Sequence, residues 1–222
     1  FNIKIRKIFA ELFGLFGARP NLFFSKNFEI NVLNYHFFSK DNDGSVELED
    51  LEINISVLEK QLLFFSKECE IINVKNQDIK SIRSSLKPQL LLTIDDGLSS
   101  FYENAWPILK KDKIPFLLFV STEPVGKKGY MTWDQIKEIE RSEFGVIGHH
   151  SHSHDYLIDK KFKEFVLDIK KANNIFLNEL GYIPSLFSYP FGEYSKEMHD
   201  YISKNFSLSF GQHSGVIDIN KE

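Results

Sequence analysis

The feature that most constrains the fold of this chain is the alternation of short apolar runs with longer helical patterns. The runs Leu90–Ile94 and Phe116–Val120 are apolar almost throughout, as in strands that are buried on both faces. Residues 162–180 carry apolar side chains at helical spacing, and Gly181 follows where a C-terminal cap belongs. This alternation predicts an α/β fold with a parallel sheet or a barrel. Active sites in such folds lie at the carboxyl ends of the strands, so polar motifs directly after a strand are the candidates for chemistry.

Length, charge and cysteine content exclude several classes of protein. The 222 residues are enough for one large domain that buries about 70% of the surface of its unfolded chain. The net charge is −4 with acids and bases interspersed, which argues against a protein that binds nucleic acid. Cys69 is the only cysteine, so the chain has no internal disulfide and no cysteine pair for a metal site.

We divide the sequence into an N-terminal segment, residues 1–28, and a domain, residues 29–222. Three basic residues precede an apolar run that resembles a signal peptide, but Glu11 interrupts this run. An amphipathic surface helix explains the pattern about as well, so both interpretations stay open. No stretch of the sequence has the ~20 apolar residues that a membrane-spanning helix requires.

Two neighbouring carboxylates end the strongest predicted strand. Asp95 and Asp96 follow Ile94 in the sequence Thr-Ile-Asp-Asp-Gly, and Gly97 lets the chain turn sharply beside them. Because side chains alternate across a strand, the two carboxylates point in different directions and can have different roles. Taken alone, the motif is also typical of an ordinary turn after a strand.

A cluster of histidines follows another predicted strand. Residues 149–154 read His-His-Ser-His-Ser-His and contain four of the seven histidines of the chain. A helical turn would place His150 and His154 on one face, whereas an extended segment would add His152 to the same side. The spacing therefore leaves open whether two or three of these histidines bind a metal.

These residue types have a common chemical use. One aspartate and two neutral imidazoles form a three-ligand site that leaves a position open on zinc. Such a metal lowers the pKa of a bound water to about 7 and polarises a carbonyl oxygen. A second carboxylate beside the metal would stay ionised and act as a base toward that water. The pattern predicts a metal-dependent hydrolase, but it does not specify the bond that is cut.

Five motifs, in order along the chain, resemble one known family. Thr-Ile-Asp-Asp-Gly at 93–97 and His-Ser-His-Ser-His at 150–154 are similar to motifs of the NodB-type polysaccharide deacetylases, carbohydrate esterase family 4. Three further stretches are similar to the branch of that family that acts on poly-N-acetylglucosamine. They are Tyr-His at 35–36, Met-Thr-Trp-Asp-Gln at 131–135 and Tyr-Pro-Phe-Gly at 189–192.

The resemblance assigns a role to each matching residue. It implies that Asp95 is the catalytic base and that a divalent metal ion is bound by Asp96, His150 and His154. The ligand types suit zinc, and cobalt or nickel remain alternatives because such sites accept several first-row metals. The resemblance also implies that the backbone N–H of Phe191 stabilises an oxyanion. The predicted substrate-binding residues are His36, Trp133, Tyr189, Pro190 and Phe191.

The resemblance covers residues 31–216 and implies a distorted (β/α) barrel with about seven parallel strands. The sequence departs from the family in two places. Ser188 stands where many members have an arginine that holds the base, although the poly-N-acetylglucosamine branch also lacks this arginine. The general acid of the family is usually a histidine on a C-terminal strand, and His213 is the only late candidate. Because the chain ends at Glu222, a truncated C-terminus stays open.

The resemblance implies a hydrolase that removes N-acetyl groups from a bacterial polysaccharide containing N-acetylglucosamine. A metal-bound water would attack the acetamide, with Asp95 as its base. The alternatives are a carbohydrate-binding barrel without turnover and an O-acetyl esterase that acts on a polysaccharide. The expected partner is an acetylated polysaccharide or oligosaccharide and not a nucleic acid. Membrane association through residues 1–28 and the oligomeric state stay open. Because most relatives act on envelope or exported polymers, we expect a periplasmic or extracellular location.

Overall fold

The structure, a computed structural model, describes residues 29–40, 51–75, 85–211 and 216–218, so the predicted N-terminal segment lies outside the described residues. The strands are β1 (Glu29–Tyr35), β2 (Phe37–Ser39), β3 (Glu52–Asn54), β4 (Glu70–Ile71), β5 (Gln89–Ile94), β6 (Phe116–Val120), β7 (Gly145–His149), β8 (Leu186–Ser188), β9 (Leu208–Phe210) and β10 (Val216–Asp218). The helices are α1 (Ile55–Glu68), α2 (Trp106–Asp112), α3 (Trp133–Glu140), α4 (Phe162–Leu180) and α5 (Lys196–Asn205). Across these described ranges, no helix is both long enough and apolar enough to cross a membrane.

The described residues fall into two compact units. The first contains the described residues up to Thr93, the stretch Ser100–Phe116 and strand β10. The second contains Ile94–Ser99 and the residues from Leu117 to Gly211. Each unit brings together segments that are distant in the sequence, so neither corresponds to one continuous stretch of chain.

The first unit contains two groups of paired strands. Strand β1 lies between β10 and β5, and β4 also pairs in parallel with β5. The pairing of β1 with β10 is antiparallel. Strands β2 and β3 form a separate parallel pair. Inside this unit, the buried hydroxyl of Tyr35 on β1 donates a hydrogen bond of 2.7 Å to Gln61 on α1, which satisfies two polar groups.

The second unit repeats a strand-and-helix pattern. Strands β6, β7, β8 and β9 are neighbours in this order, and helices α3, α4 and α5 separate them along the chain. Strand β8 pairs in parallel with both β7 and β9. The carboxyl ends of these three strands therefore lie at one edge. The core of this unit is built from Leu157, Phe165, Ile169, Phe187, Tyr189, Met198, Ile202 and Phe206.

Local chemistry fixes several helix boundaries, and the predicted cap at Gly181 is confirmed. The hydroxyl of Thr132 accepts the N–H of Gln135, and the Gln135 side chain accepts the N–H of Thr132, so α3 begins with a reciprocal cap. A π-helical stretch, Phe101–Ala105, leads directly into helix α2, and Pro107 is the second residue of α2, where a missing N–H costs little. Gly181 ends α4 with a φ of 81°, which only glycine adopts easily.

Apolar spacing in the sequence also predicts that the helix ending near Phe65 already includes Leu51 and that residues 71–74 form a strand, and both boundaries are wrong. The helix begins at Ile55, because residues 52–54 pair with β2 instead. The strand expected at residues 71–74 is reduced to Glu70–Ile71, which is all that pairs with β5. In both places, pairing with another strand determines where the element begins or ends. The local spacing of apolar residues gives no information about such pairing.

Gly148 on β7 is required by close packing against β6. A Cβ atom built on Gly148 would lie 2.3 Å from Cδ1 of Phe119, whose side chain is fully buried. We expect Gly148→Ala to lower the free energy of unfolding by about 3 kcal/mol, because the buried ring cannot move aside without strain. Chemical denaturation of the variant and the parent measures this difference.

Gly126→Ala is the matched control for this prediction. Gly126 has a φ of 82°, and a Cβ atom added there would meet no described atom within 4 Å. The substitution therefore costs only the strain of a left-handed backbone, about 1 kcal/mol. Equal destabilisation of the two variants would show that packing against Phe119 does not constrain β7.

Candidate metal centre and active site

One carboxylate and two imidazoles converge at the carboxyl ends of the strands. Oδ1 of Asp96 lies 3.3 Å from Nε2 of His150 and 2.9 Å from Nε2 of His154. All three residues offer a ligand atom, and these atoms lie within 4.8 Å of one another. In a tetrahedral zinc site, bonds of about 2.0–2.1 Å place the ligand atoms about 3.3 Å apart. The donor set and its spacing therefore fit a divalent cation such as zinc.

The electrostatics of Asp96 keep its carboxylate ionised. Burial raises the pKa of Asp96, but hydrogen bonds and positive charge from His150 and His154 outweigh this effect and hold the pKa well below its usual range. The side chain of Asp96 is 18% exposed and that of His154 is 27% exposed. An ionised ligand that solvent can reach is suitable for a centre with an open position.

A hydrogen bond fixes the orientation and tautomer of His150. Its Nδ1 lies 2.8 Å from the carbonyl oxygen of Ser188, so Nδ1 must carry the proton that is donated. The lone pair of neutral His150 is then on Nε2, the atom that faces Asp96. Burial lowers the pKa of His150, but the negative charges of Asp95 and Asp96 raise it by more. The net shift of the pKa is therefore upward.

The backbone between the two histidines is neither helical nor extended. Ser151 has a φ of 66° and His154 has a φ of 56°, both in the left-handed region that side chains other than glycine rarely adopt. The hydroxyl of Ser151 accepts the N–H of His154 at 3.2 Å. In this turn, His150 and His154 are the loop histidines that face Asp96.

The other two histidines of the cluster have different environments. Nδ1 of His152 lies 2.8 Å from the hydroxyl of Thr122, and its Nε2 lies 3.7 Å from a carboxylate oxygen of Glu123. His149 is fully buried among Phe176, Phe187 and Phe206, with ring centroids 5.1–5.3 Å away. Burial lowers the pKa of His149 to about 3, so it is a neutral part of the core.

Asp95, the predicted base, lies beside this cluster and is buried. It is 1% exposed, and the hydroxyl of Ser188 donates a hydrogen bond of 3.3 Å to its Oδ2. Its negative charge also acts on His150. Ser188 therefore contacts both functional groups, because its hydroxyl holds Asp95 and its carbonyl holds His150. In the sequence, Ser188 is marked only as the position of a missing arginine.

The predicted substrate-binding residues Tyr189, Pro190 and Phe191 lie in a tight turn after β8 that ends at Gly192. Tyr189 is buried, and its carbonyl oxygen accepts the N–H of Gly192 at 2.8 Å. Phe191 has a φ of 58° and is 47% exposed. Its ring centroid lies 5.0 Å from that of His154 and 5.5 Å from that of Tyr156, whose hydroxyl donates a hydrogen bond to Glu193. The strained turn thus holds an exposed aromatic ring directly beside a candidate ligand.

The remaining predicted residues have different outcomes. Trp133 packs edge-on against Phe176 with centroids 5.9 Å apart, so at least part of its ring serves packing. His36 is buried in the first unit, between β1 and β2. His213 lies outside the described residues. The substrate-binding roles of Trp133 and His36 and the catalytic role of His213 stay predictions.

Tyr130 lies near Asp96, although no sequence motif marks it. Met131 donates its N–H to Gly97 at 3.0 Å and Ser99 donates to Gly129 at 2.9 Å, which ties the chain around Tyr130 to the turn after Asp96. Burial raises the pKa of Tyr130, and the negative charge of Asp96 raises it further. Its place directly before the Met-Thr-Trp-Asp-Gln stretch was the available signal.

Comparison with known proteins identifies the family. A family model described as polysaccharide deacetylase matches residues 83–206, more than half of the chain and all of the cluster around Asp96. The chain belongs to the polysaccharide deacetylase family. The family assignment made from the motifs is therefore confirmed.

Individual relatives of this polysaccharide deacetylase are distant. The poly-β-1,6-N-acetyl-D-glucosamine N-deacetylase of Staphylococcus aureus is 25% identical over 185 residues, which are 72% of this chain and 64% of that protein. The YxkH protein of Bacillus subtilis is 26% identical over 174 residues, 76% of this chain and 59% of that protein. The chain thus spans less than two thirds of the length of these curated relatives.

The fold class is confirmed by a solved structure. IcaB from Ammonifex degensii superposes with a TM-score of 0.74 and 26% identity, over 85% of this chain and 86% of that one. The chain accordingly has the α/β fold of a distorted (β/α) barrel, with mostly parallel strands. The antiparallel pairing of β1 with β10 is an addition to the predicted parallel set.

The ligand set can be tested by metal binding alone. We expect His150→Ala and His154→Ala to weaken Zn²⁺ binding by more than about 100-fold, beyond the loss typical of residues that only support ligands. His152→Asn, the matched control in the same loop, should weaken it by less than about tenfold. Competition with a chromophoric chelator measures each dissociation constant. A loss in His152→Asn as large as that in His154→Ala would add His152 to the ligands.

Proposed function

We propose that this polysaccharide deacetylase is a metal-dependent enzyme that removes N-acetyl groups from a bacterial polysaccharide containing N-acetylglucosamine. The observation that carries the proposal is the adjacency of two different carboxylates. Asp96 contacts two imidazoles, and Asp95 beside it is held by a hydroxyl. This arrangement separates a ligand from a base, as hydrolysis by an activated water requires.

A divalent cation held by Asp96, His150 and His154 would polarise the acetamide carbonyl and make a water more acidic. Asp95 takes a proton from the attacking water as its oxygen bonds to the carbonyl carbon. The backbone N–H of Phe191 donates to the oxygen on which negative charge develops, a contribution of about 3 kcal/mol at comparable sites. The carbon–nitrogen bond then breaks, and the nitrogen gains a proton from a general acid, for which His213 is the predicted candidate. The products are acetate and a free amine.

Similarity and local structure support the choice of substrate. The Staphylococcus aureus relative is named for its action on poly-β-1,6-N-acetyl-D-glucosamine. The exposed ring of Phe191 beside His154 offers an apolar face of the kind on which the C–H groups of a sugar ring pack. Acetylated polymers of this type belong to the bacterial surface, so we propose a periplasmic or extracellular location. Zinc is the proposed metal, with cobalt and nickel as alternatives.

Acetate release from N-acetylglucosamine oligomers tests the proposal. We expect the Zn²⁺-loaded protein to release acetate and a chelator to abolish the reaction. Asp95→Asn should lower kcat by about 10²–10⁴-fold, because an amide cannot accept the proton. Asp200→Asn, which changes an exposed aspartate on α5, is the matched control and should keep full activity. Activity of Asp95→Asn within tenfold of the parent would remove Asp95 from the role of base.

The same assay separates the alternatives. Binding of the oligomers without acetate release by the folded, metal-loaded protein would favour a carbohydrate-binding barrel. Faster release from O-acetylated than from N-acetylated oligomers would favour an esterase.

Phe191 allows a test of the sugar contact that is independent of the base. We expect Phe191→Ala to raise KM for the oligomers by up to about tenfold with little change in kcat, because a lost aromatic contact costs about 0.5–1.5 kcal/mol. Phe191→Tyr keeps the ring and is the matched control. A fall in kcat with KM unchanged would contradict a binding role and would instead indicate that the side chain is needed to orient the Phe191 N–H.

A further inference from the structure

The segment between the two candidate histidine ligands has an unfavourable backbone conformation. Ser151 and His154 both have positive φ values, which oppose the ordinary preferences of their side chains. The distance between the imidazoles of His150 and His154, 4.9 Å between centroids, depends on this turn. Neighbouring elements must therefore supply the contacts that keep the turn in place.

Asp168 on α4 makes two of these contacts. Its Oδ1 accepts the backbone N–H of His152 at 2.7 Å, and its Oδ2 accepts that of Ser153 at 3.1 Å. One carboxylate thus satisfies two successive N–H groups in the middle of the turn. Hydrogen bonds to an ionised acceptor are stronger than those to a neutral one, and two parallel bonds also fix direction.

Helix α4 is a rigid support for this carboxylate. Phe165 and Ile169, on either side of Asp168 in the sequence, are buried in the core of the second unit. On the opposite side of the turn, the N–H groups of Thr122 and Glu123 donate to the carbonyl oxygens of Ser151 and His152 at 3.3 and 2.9 Å. The turn is therefore hydrogen-bonded both to the residues after β6 and to helix α4. Asp168 supplies the hydrogen bonds from α4, and it is the charged partner.

We propose that Asp168 is a positioning residue of the metal centre, which sets the affinity for the metal by holding the His150–His154 turn without binding the metal itself. The proposal rests on the proposed metal centre. The proposal explains why the carboxylate of Asp168, which belongs to no recognised motif, accepts hydrogen bonds from two backbone N–H groups of the loop. Outer partners that orient metal ligands typically change metal affinity by about 10–100-fold when they are removed.

Three substitutions separate positioning from general stability. Asp168→Asn is nearly isosteric, but its NH₂ group cannot accept a hydrogen bond, so one N–H of the turn loses its partner. Asp168→Ala removes both acceptors, and Asp168→Glu restores two acceptors on a longer side chain. Asp200→Asn is the control for the removal of one negative charge, because Asp200 lies exposed on α5.

The experiment measures Zn²⁺ dissociation constants by chelator competition, the absorption spectrum of the Co²⁺ form, and the unfolding free energy of each metal-free variant. We expect Zn²⁺ affinity to fall about tenfold in Asp168→Asn and up to about 100-fold in Asp168→Ala, after correction for the folded fraction. Asp168→Glu should recover part of the loss, and Asp200→Asn should match the parent. The Co²⁺ spectrum should change in Asp168→Asn, because the ligand geometry changes.

The other outcomes can be told apart from one another. If folded Asp168→Asn binds Zn²⁺ within twofold of the parent, with an unchanged Co²⁺ spectrum, Asp168 does not position the ligands. If the correction for folded protein accounts for the whole loss, its role is only structural. If Asp168→Ala does not fold, the isosteric Asp168→Asn decides. If the parent itself binds no Zn²⁺ and no Co²⁺, the proposed metal centre fails and the inference fails with it. Retained binding without deacetylation would instead overturn only the proposed reaction.

Discussion

The candidate site depends on the contact of one carboxylate oxygen with two imidazole nitrogens. Oδ1 of Asp96 lies 3.3 and 2.9 Å from Nε2 of His150 and His154. A largely buried carboxylate is costly unless hydrogen bonds or positive charge offset the loss of water, and these two imidazoles supply that offset. The carboxylate comes from the turn after β5, and the imidazoles come from the turn after β7. These two turns must meet for the three side chains to make contact. The candidate site therefore depends on the parallel strands, whose ends place the turns together, and on the helices that support those strands.

Backbone strain is concentrated where these turns meet. Within the described residues, five residues other than glycine have positive φ values, and four of them, Asp96, Ser151, His154 and Phe191, belong to the candidate site. Each such residue lowers the stability of the fold by about 1–3 kcal/mol. Surrounding contacts must therefore hold it in this conformation. The fifth, Lys113, only ends α2. The apolar core of the second unit supplies part of the support that these strained turns require.

The sequence predicts the parts of this arrangement that short-range chemistry determines. Helix α3 could be predicted because Thr132 and Gln135 cap it locally, and the cluster could be predicted because motifs directly follow strands. Which loop histidines face Asp96 could not be predicted, since this depends on the left-handed φ of Ser151, which the residue type does not indicate. The contribution of Asp168 was equally inaccessible, because a polar residue on a helix does not show which backbone groups it will meet.

Ser188 makes contact with both Asp95 and His150, and so connects the carboxylate to the histidine cluster. Its hydroxyl donates to Asp95 and its carbonyl oxygen accepts from Nδ1 of His150, so the proposed base and a proposed ligand are held by the same residue at the end of β8. An arginine at this position would hold the base by a full positive charge, whereas the serine does so by a neutral hydrogen bond. The carbonyl contact does not depend on the side chain and would survive that exchange. The tautomer of His150 is thus fixed by the backbone of β8. Only the hydrogen bond to Asp95 depends on which side chain stands at position 188.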